Sequence, residues 1–260
     1  MPSMFTPGSF PSSASAPDSV VKSAGRTLAI LETFQAWKRP ATARELAGAL
    51  KLPRSSANAL LASLVTLGYL QFNAETATYF PTVRVGLLGE WLLDSVRRDR
   101  VITGIMRELS AATGETVSAS VRTGMSMQFV SIMPSTFPVA LNIAEGALAA
   151  LFDSAVGLAW LSAQGPETID DLRHTHNRHS EDGQISADVM RKRLDEVERR
   201  GAAIAYGKVS PDTGAIAIAY PRPVRGQTVV IGVGGPISRI KRSEAQVVTL
   251  MRRLIRQALG

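Results

Sequence analysis

The chain has 260 residues, 45% of them hydrophobic and 20% charged, which is a globular composition with material for one large domain or two ordinary ones. It has no cysteine, so disulfides, iron–sulfur clusters and thiolate zinc sites are excluded. The net charge of +7 is compatible with binding to nucleic acid or to an anionic surface. Most of this charge lies in residues 22–85, where eight Lys and Arg face three Glu.

The first 21 residues are rich in Ser, Pro and Ala, and we expect them to form a disordered tail. They lack the early positive charge and the apolar run of a secretory signal. The longest apolar stretch, ALAALFDSAVGLAWL, is interrupted by Asp153 and is shorter than the ~20 residues that span a bilayer. We therefore expect a cytoplasmic protein that does not associate with a membrane.

Residues 22–86 are predicted to form three helices and a hairpin. The apolar spacing of RTLAILETFQAW predicts a helix from about Arg26 to Trp37. Thr42, with Glu45 three residues later, predicts a capping box at the start of a second helix. Pro53 stands at the expected first position of a third helix that ends at Gly68. The residues that this helix is expected to bury are Ala57, Leu60, Leu61, Leu64 and Leu67.

The runs YLQF and TYFPT follow as a predicted hairpin. This order of elements predicts a winged helix-turn-helix. In such a domain, the N-terminal part of the second helix of the motif meets the edges of the DNA bases. Asn58 could read adenine, Arg54 could read guanine, and small hydroxyl residues could approach phosphates. The alternative is a helix that merely closes a three-helix domain, but the basic arm from Lys22 to Arg26 favours DNA.

We predict DNA contacts from the arm, the second and third helices and the hairpin. The predicted DNA-binding residues are Lys22, Arg26, Thr42, Arg44, Arg54, Ser55, Ser56, Asn58, Ser63 and Tyr79.

Residues 87–113 are predicted to form a linker helix, with a possible break near Arg98–Arg100. Such a helix could form dimer contacts or pack on its own chain. In residues 114–260, strand-like runs such as TVSASVR, MQFVSIM and VALNIA mix with helical segments, without strict alternation. One of these helices, ADVMRKRLDEVERRGAA, should turn Val189, Leu194 and Val197 inward. The pattern predicts an α+β sensor-like domain.

Three N-terminal segments, SAGRTLAILETF, TARELAGALKLPRSSANALLASLVTLGYL and TYFPTVRVGLLG, resemble the isocitrate lyase regulator (IclR) family. The resemblance extends more loosely through GALAALFDSAVG, TGAIAIAYPRPV and VVIGVGGP, and covers about Val21 to Leu259. It implies a bacterial repressor or activator that forms dimers or tetramers. Its N-terminal winged helix would bind operator DNA, and its C-terminal α+β, GAF-like domain would bind a small organic effector.

The resemblance also implies an effector pocket. Its predicted lining residues are Met127, Phe129, Gly146, Leu148, Ser154, Ala155, Ser210, Asp212, Ala217 and Gly234. Leu148 and Ala217 replace the Arg and Cys that are usual in the family, and Gly234 replaces a Ser. We therefore expect a less polar pocket and a mostly apolar effector, such as an aromatic acid. On the third helix, Ala59 replaces an Arg, so fewer phosphate contacts are expected there.

Other functions find weaker support. His174, His176 and His179 could bind zinc or nickel, but we expect no metal and no cofactor. GAAIAYGKV is similar to a phosphate-binding loop, but it has five residues between its glycines, and Val209 follows Lys208. The glycines of VIGVGGP are expected to allow close backbone approach to packed neighbours or to a ligand. An enzyme is therefore not expected. A winged-helix module for protein contacts, with an empty sensor domain, stays open as an alternative.

Overall fold

The computed structural model describes residues 21–89, 99–179, 184–208 and 210–260. The predicted N-terminal tail, apart from Val21, and the linker between residues 90 and 98 lie outside the described residues. The chain divides into two compact units, Met1–Leu92 and Leu93–Gly260. No helix in the described part of the chain is both long and apolar enough to cross a membrane.

The first unit is a winged helix-turn-helix, as predicted. In chain order, its elements are α1 (Lys22–Trp37), β1 (Ala41–Thr42), α2 (Ala43–Ala49), α3 (Arg54–Thr66), β2 (Leu70–Asn73) and β3 (Thr78–Pro81), and residues 83–89 are also helical. The strands form an antiparallel sheet in the order β1-β3-β2. The three helices and the sheet enclose a core that includes Ile30, Phe34, Leu46, Leu61 and Leu64.

The ends of α2 and α3 follow from local chemistry. The predicted capping box is confirmed, because Glu45 N–H donates to Thr42 Oγ1 and Thr42 N–H donates to the Glu45 carboxylate at 2.8 Å. Gly68 has a φ of +79° and ends α3 in a Schellman motif, in which Tyr69 N–H bonds the Leu64 carbonyl at 2.9 Å. These ends fix how α2 and α3 meet.

Three details of the first unit differ from the sequence prediction. Lys22–Arg26 is the first turn of α1 rather than an arm, since Gly25 N–H already bonds the Val21 carbonyl at 3.3 Å. Pro53 is the N-cap of α3 and not its first residue. Leu67 is 57% exposed because α3 ends one residue before it, so its side chain leaves the buried stripe.

The second unit is a mixed α+β fold. Its elements are α4 (Arg100–Thr113), β4 (Thr116–Thr123), β5 (Ser126–Met133), β6 (Leu148–Ala150), α5 (Ala155–Ser162), α6 (Pro166–His179), α7 (Ala187–Arg200), β7 (Ala203–Tyr206), β8 (Thr213–Ala219), β9 (Val230–Pro236) and α8 (Ile237–Leu259). The described strands form one antiparallel sheet in the order β6-β5-β4-β9-β8-β7.

The two faces of this sheet are covered by different helices. Val117, Ala119 and Val121 of β4 share a core with α4 and α8, while the alternate residues Thr116 and Ser118 face the other side, where α5 packs. α4 buries Ile102, Ile105, Met106 and Leu109 in that core. Residues 100–113 therefore pack on their own chain, which was one of the two possibilities for the linker helix.

Two further predictions for the second unit are wrong. VALNIA is not a strand, although Leu141 and Ile143 are buried between exposed neighbours. This alternation arises because both side chains point toward the interior, while the segment's backbone has no sheet partner among the described residues. In α7, Val189 is 43% exposed and Met190 takes the inward position.

Candidate DNA-binding surface and effector cavity

The first turns of α3 present an exposed polar surface on the first unit. Arg54, Ser55, Asn58 and Ala59 are exposed, while Ser56 is half-buried. The N-cap, Pro53, makes no side-chain cap, so the first backbone N–H groups of α3 stay available to an acceptor outside the helix. A helix N-terminus with free N–H groups and a guanidinium attracts phosphate.

The other predicted DNA-binding residues fall into two groups. Lys22 and Arg44 are exposed, and Arg26 is half-buried in the first turns of α1. In contrast, Thr42, Ser63 and Tyr79 have partners within the domain. Thr42 caps α2, the Ser63 hydroxyl donates to the Ala59 carbonyl at 2.9 Å, and the Tyr79 ring lies 4.8 Å from that of Phe72.

The sequence analysis did not consider one exposed cation at the opposite end of α3. Arg84 follows the hairpin, and its guanidinium lies 4.9 Å from the Tyr69 ring, at the C-terminal end of α3. Its guanidinium also passes close to Gly68, 3.5 Å from where a Cβ would stand. Arg39 is different, because its guanidinium is paired with Glu45 at 2.9 Å. Nothing in the local sequence distinguishes the two arginines, since the difference depends on tertiary contacts.

The second unit encloses a small cavity between its sheet, the start of α5 and the segment before β6. The cavity has a volume of about 30 Å³, which is enough for one or two water molecules. The lining residues are Thr116, Ser118, Phe129, Leu141, Ile143, Ser154, Ala155, Val156, Ala205, Lys208, Thr213, Gly214, Ala215, Gly232, Val233 and Gly234. The surface is therefore largely apolar, and Lys208 is the charged residue on it.

Four predicted effector residues meet at this cavity, namely Phe129, Ser154, Ala155 and Gly234. The other six do not line it. Met127 and Ala217 are fully buried in the sheet without lining the cavity. Met127 pairs with Ala149, and Ala217 pairs with the lining residue Gly232. The remaining four residues lie outside the lining, in β6 or in turns: Gly146, Leu148, Ser210 and Asp212.

Most hydroxyls of the cavity are already hydrogen-bonded. Thr116 donates to the Leu141 carbonyl at 2.7 Å, Thr213 donates to the Ser210 carbonyl at 2.9 Å, and Ser154 caps α5 by accepting from Gly157 N–H at 3.1 Å. Ser118 is 5% exposed, and its hydroxyl has no hydrogen-bond partner among the described residues. The ammonium of Lys208 lies 3.9 Å from an oxygen of Asp153. Ser118 and Lys208 are thus the polar groups that a ligand could engage.

The glycines of VIGVGGP, in β9, were expected to allow close backbone approach, and their packing confirms this prediction. A Cβ on Gly232 would lie 2.9 Å from Ser118 Oγ, and one on Gly234 would lie 2.6 Å from Leu141 Cδ2. Both contacts are closer than real Cβ atoms tolerate, so these glycines set the size of the cavity. In GAAIAYGKV, the segment that the sequence analysis set aside as a phosphate-binding loop, residues 203–206 form the strand β7.

The described histidines do not converge on a metal site. His174 and His176 lie on α6, where a separation of two residues turns the side chains about 200° apart. His174 Nε2 is 2.8 Å from Arg173 Nη2, and the His176 ring packs 4.9 Å from that of Phe152. The side chain of His179 lies outside the described residues. In the described part of the chain, no group of three His, Asp or Glu is arranged to hold a metal.

Comparisons with known proteins agree on one family. The model of the IclR helix-turn-helix domain matches residues 23–74, and that of the bacterial transcriptional regulator IclR C-terminal domain matches residues 93–258. The transcriptional repressor IclR of Escherichia coli (strain K12) is 24% identical over 238 residues, which cover 90% of this chain and 87% of the repressor. The regulator KdgR of the same strain is 24% identical over 207 residues, covering 78% and 77%.

Solved structures share the fold. An IclR family transcriptional regulator from Brucella abortus superposes with a TM-score of 0.70 at 21% identity, covering 99% of this chain and 98% of its own. An IclR homolog from Microbacterium hydrocarbonoxydans, complexed with 4-hydroxybenzoate, gives a TM-score of 0.70 at 18% identity, covering 91% and 98%. The two family models together span most of the chain, from the winged helix through the α+β unit. The chain belongs to the IclR family of bacterial transcriptional regulators.

Proposed function

We propose that the chain binds operator DNA through the start of α3 and that a small, largely apolar organic acid in the cavity modulates this binding. We further propose that it acts in the cytoplasm as a dimer or a dimer of dimers, without enzymatic activity. Its domains would be the winged helix of residues 22–86, the linker of residues 87–113 and the effector domain of residues 114–260. The observation that carries the proposal is the uncapped first turn of α3, where Arg54, Ser55 and Asn58 are exposed.

The chemistry of this turn suits base and phosphate contacts together. Arg54 and Asn58 are four residues apart, so they are neighbours on the surface of α3, and both are exposed. Ala57 and Leu61 are buried and hold the helix against the core of the domain. An exposed Arg and Asn at the start of such a helix can make bidentate contacts with guanine and adenine. The free N–H groups of the first turn would hold a phosphate and fix the helix in the groove.

The cavity supports an effector with a mostly apolar body. Its walls are chiefly Phe129, Leu141, Ile143, Val156 and Val233. An IclR homolog of the same fold binds 4-hydroxybenzoate, a molecule of this kind. The cavity has space for one or two water molecules, which is too little for a benzene ring. Binding would therefore require a more open arrangement, and a ligand that selects one arrangement can shift the DNA-binding equilibrium.

DNA binding is tested by fluorescence anisotropy with a labelled duplex from the region upstream of the protein's own gene. We expect specific binding that weakens steeply as salt rises, because phosphate contacts release counterions. Arg54→Ala and Asn58→Ala should each weaken specific binding by about tenfold, the effect of losing one bidentate base contact. Arg191→Ala, which removes an exposed cation from α7, is the matched control for net charge and should change little.

The same measurement separates this proposal from the protein-interaction alternative. A module for protein contacts would show no specific shift at any salt concentration, and the α3 variants would behave like Arg191→Ala. Effector binding is tested by adding 4-hydroxybenzoate to the protein–DNA complex and by thermal unfolding of the protein alone. A ligand at 100 times its dissociation constant should add about 2.7 kcal/mol to the free energy of unfolding.

A further inference from the structure

We propose that Lys208 is the residue that recognises the effector's carboxylate, and that it does so by leaving Asp153 for the ligand. This inference rests on the proposed function, since it names the ligand class of the same cavity. The proposed effector is a monocarboxylate whose charged end lies at Lys208 and whose apolar body fills the space lined by Phe129 and Leu141.

The first step is the distribution of charge around the cavity. Among the described lining residues, Lys208 is the one with a charged side chain. The hydroxyl of Ser118 lines the same cavity and makes no hydrogen bond to another described residue, so it is available to a polar group of a ligand. One cation and one free hydroxyl match a ligand with one carboxylate and a second hydrogen-bonding atom. A second carboxylate would find no described cation in the lining to balance its charge.

The second step is the weakness of the existing ion pair. The Lys208 ammonium is 3.9 Å from Asp153 Oδ1, at the limit of an ion pair, and the two side chains are 53% and 41% exposed. Exposed pairs of this kind contribute little to stability. Lys208 can therefore change partner with little loss.

The third step is that Asp153 does not depend on Lys208. Arg193 Nη1 lies 3.2 Å from the same carboxylate oxygen and also donates to the Phe152 carbonyl at 2.9 Å. Arg193 is anchored by both contacts, so it stays beside Asp153 when Lys208 turns away. Asp153 keeps a counter-charge, and the ammonium becomes free for the ligand. Asp153 thus acts as a competitor for Lys208 and lowers the affinity of the cavity for carboxylates.

The test compares acids with their neutral amides by titration calorimetry on the full chain. The probes are benzoate and benzamide, 4-hydroxybenzoate and 4-hydroxybenzamide, and phenylacetate and phenylacetamide. We expect at least one acid to bind about tenfold more tightly than its amide, because a charge-assisted contact is lost with the amide. Lys208→Met should remove this preference while leaving amide binding unchanged. Lys208→Arg should retain most of it.

Substitutions of Asp153 and of its second partner, Arg193, should change acid binding in ways that a merely structural role of Lys208 would not produce. Asp153→Asn should tighten acid binding several-fold, because it removes the competitor. Arg193→Met leaves Lys208 as the remaining described cation beside Asp153. Asp153 should then hold Lys208 more strongly, so acid binding should weaken. Lys192→Met, an exposed lysine on α7 outside the cavity lining, is the control and should leave both ligand classes unaffected.

The outcomes distinguish the two levels of the proposal. Equal binding of acids and amides, or an acid preference that survives Lys208→Met, overturns the role of Lys208 but leaves the effector cavity in place. If no acid and no amide binds, both the role of Lys208 and the proposed class of effector are wrong. DNA binding is measured separately and is unaffected by either result.

Discussion

Arg239 donates two hydrogen bonds to the carboxylate of Glu115, one from Nε to Oε1 at 2.5 Å and one from Nη2 to Oε2 at 2.8 Å. The pair joins the start of α8 to the residue before β4, and Glu115 is almost fully buried. The hydrogen bonds that Arg239 donates to Glu115 raise the pKa of Arg239. Arg239 also donates to the Val139 carbonyl at 2.8 Å and lies 4.4 Å from the Phe137 ring. It thereby holds the segment that leads to the cavity residue Leu141.

Arg239→Met is predicted to destabilise the second unit. It leaves the buried Glu115 carboxylate without its cation, and such a loss costs about 3 kcal/mol of unfolding free energy. We take the lower end of the usual range because the Arg239 side chain is 22% exposed. Guanidinium unfolding measured by circular dichroism checks the value.

The control for this change is Arg191→Met, which breaks the exposed Arg191–Asp188 pair on α7. Its effect should stay below about 0.5 kcal/mol. If Arg239→Met proved equally mild, water would be replacing the guanidinium beside Glu115, and the ion pair would not fix the segment above the cavity.

Local elements were predictable because they depend on residues close in sequence. The capping box of Thr42 and Glu45 and the glycine turn at Gly68 formed as expected. The predicted start of α1, at about Arg26, was too late, because Gly25 is a poor helix former and the apolar spacing begins only after it, at Leu28. The exposure of Leu67 was missed because it depends on the exact last residue of α3.

The cavity was only partly predictable, because antiparallel pairing brings distant strands together. Thr116 of β4 pairs with Gly234 of β9, and Ala215 of β8 pairs with the same glycine. No periodicity along the chain reveals such neighbours. Lys208 was considered only as part of a phosphate loop, since its sequence context gave no sign that it reaches a cavity. The position of Lys208 in the cavity lining could therefore be recognised only from the folded structure.

Two Gly→Ala substitutions are predicted to act in opposite directions. A Cβ on Gly235 would fall 2.3 Å from Glu115 Oε2, and Arg239 holds that carboxylate in place. Gly235→Ala should therefore destabilise the protein by about 2 kcal/mol through overpacking. Gly104 lies within α4 with no atom within 4 Å of its Cβ position. Gly104→Ala should stabilise the protein by about 0.5 to 1 kcal/mol.

Urea unfolding of both variants under one buffer condition checks the two signs. Destabilisation by Gly104→Ala would contradict the open space found at its Cβ position. A neutral Gly235→Ala would mean that the Glu115 side chain can retreat, in conflict with the rigid pair described above.

Tyr206 is predicted to make stability fall at high pH. Burial, and then its hydrogen bond to the Glu244 carboxylate, raise the pKa of Tyr206 to about 12. The unfolded chain would lose this proton near pH 10, so between about pH 10 and 12 the unfolded state binds fewer protons than the folded state. The stability that protonated Tyr206 contributes is therefore fully present below pH 10 and is lost as the pH rises through 12.

Tyr206→Phe removes this group, so the stability advantage of the wild type over the variant should shrink between pH 8 and pH 11. Urea midpoints at the two pH values measure it, and other tyrosines and lysines cancel in the comparison. A constant difference would indicate that Tyr206 ionises at its ordinary pKa and that the hydrogen bond to Glu244 is not kept in solution.

Ala59→Arg is predicted to tighten operator binding. Ala59 is exposed one turn after Ser55, at the position where the resemblance to the IclR family implies an Arg. An added guanidinium should gain one phosphate contact and steepen the slope of log affinity against log salt by about one. Ala59→Gln, which adds length without charge, should leave the slope unchanged. Anisotropy titrations at four salt concentrations give both slopes. An unchanged slope for Ala59→Arg would place this side of α3 away from the phosphates, so that Arg54 and Asn58 would enter the groove at a different angle.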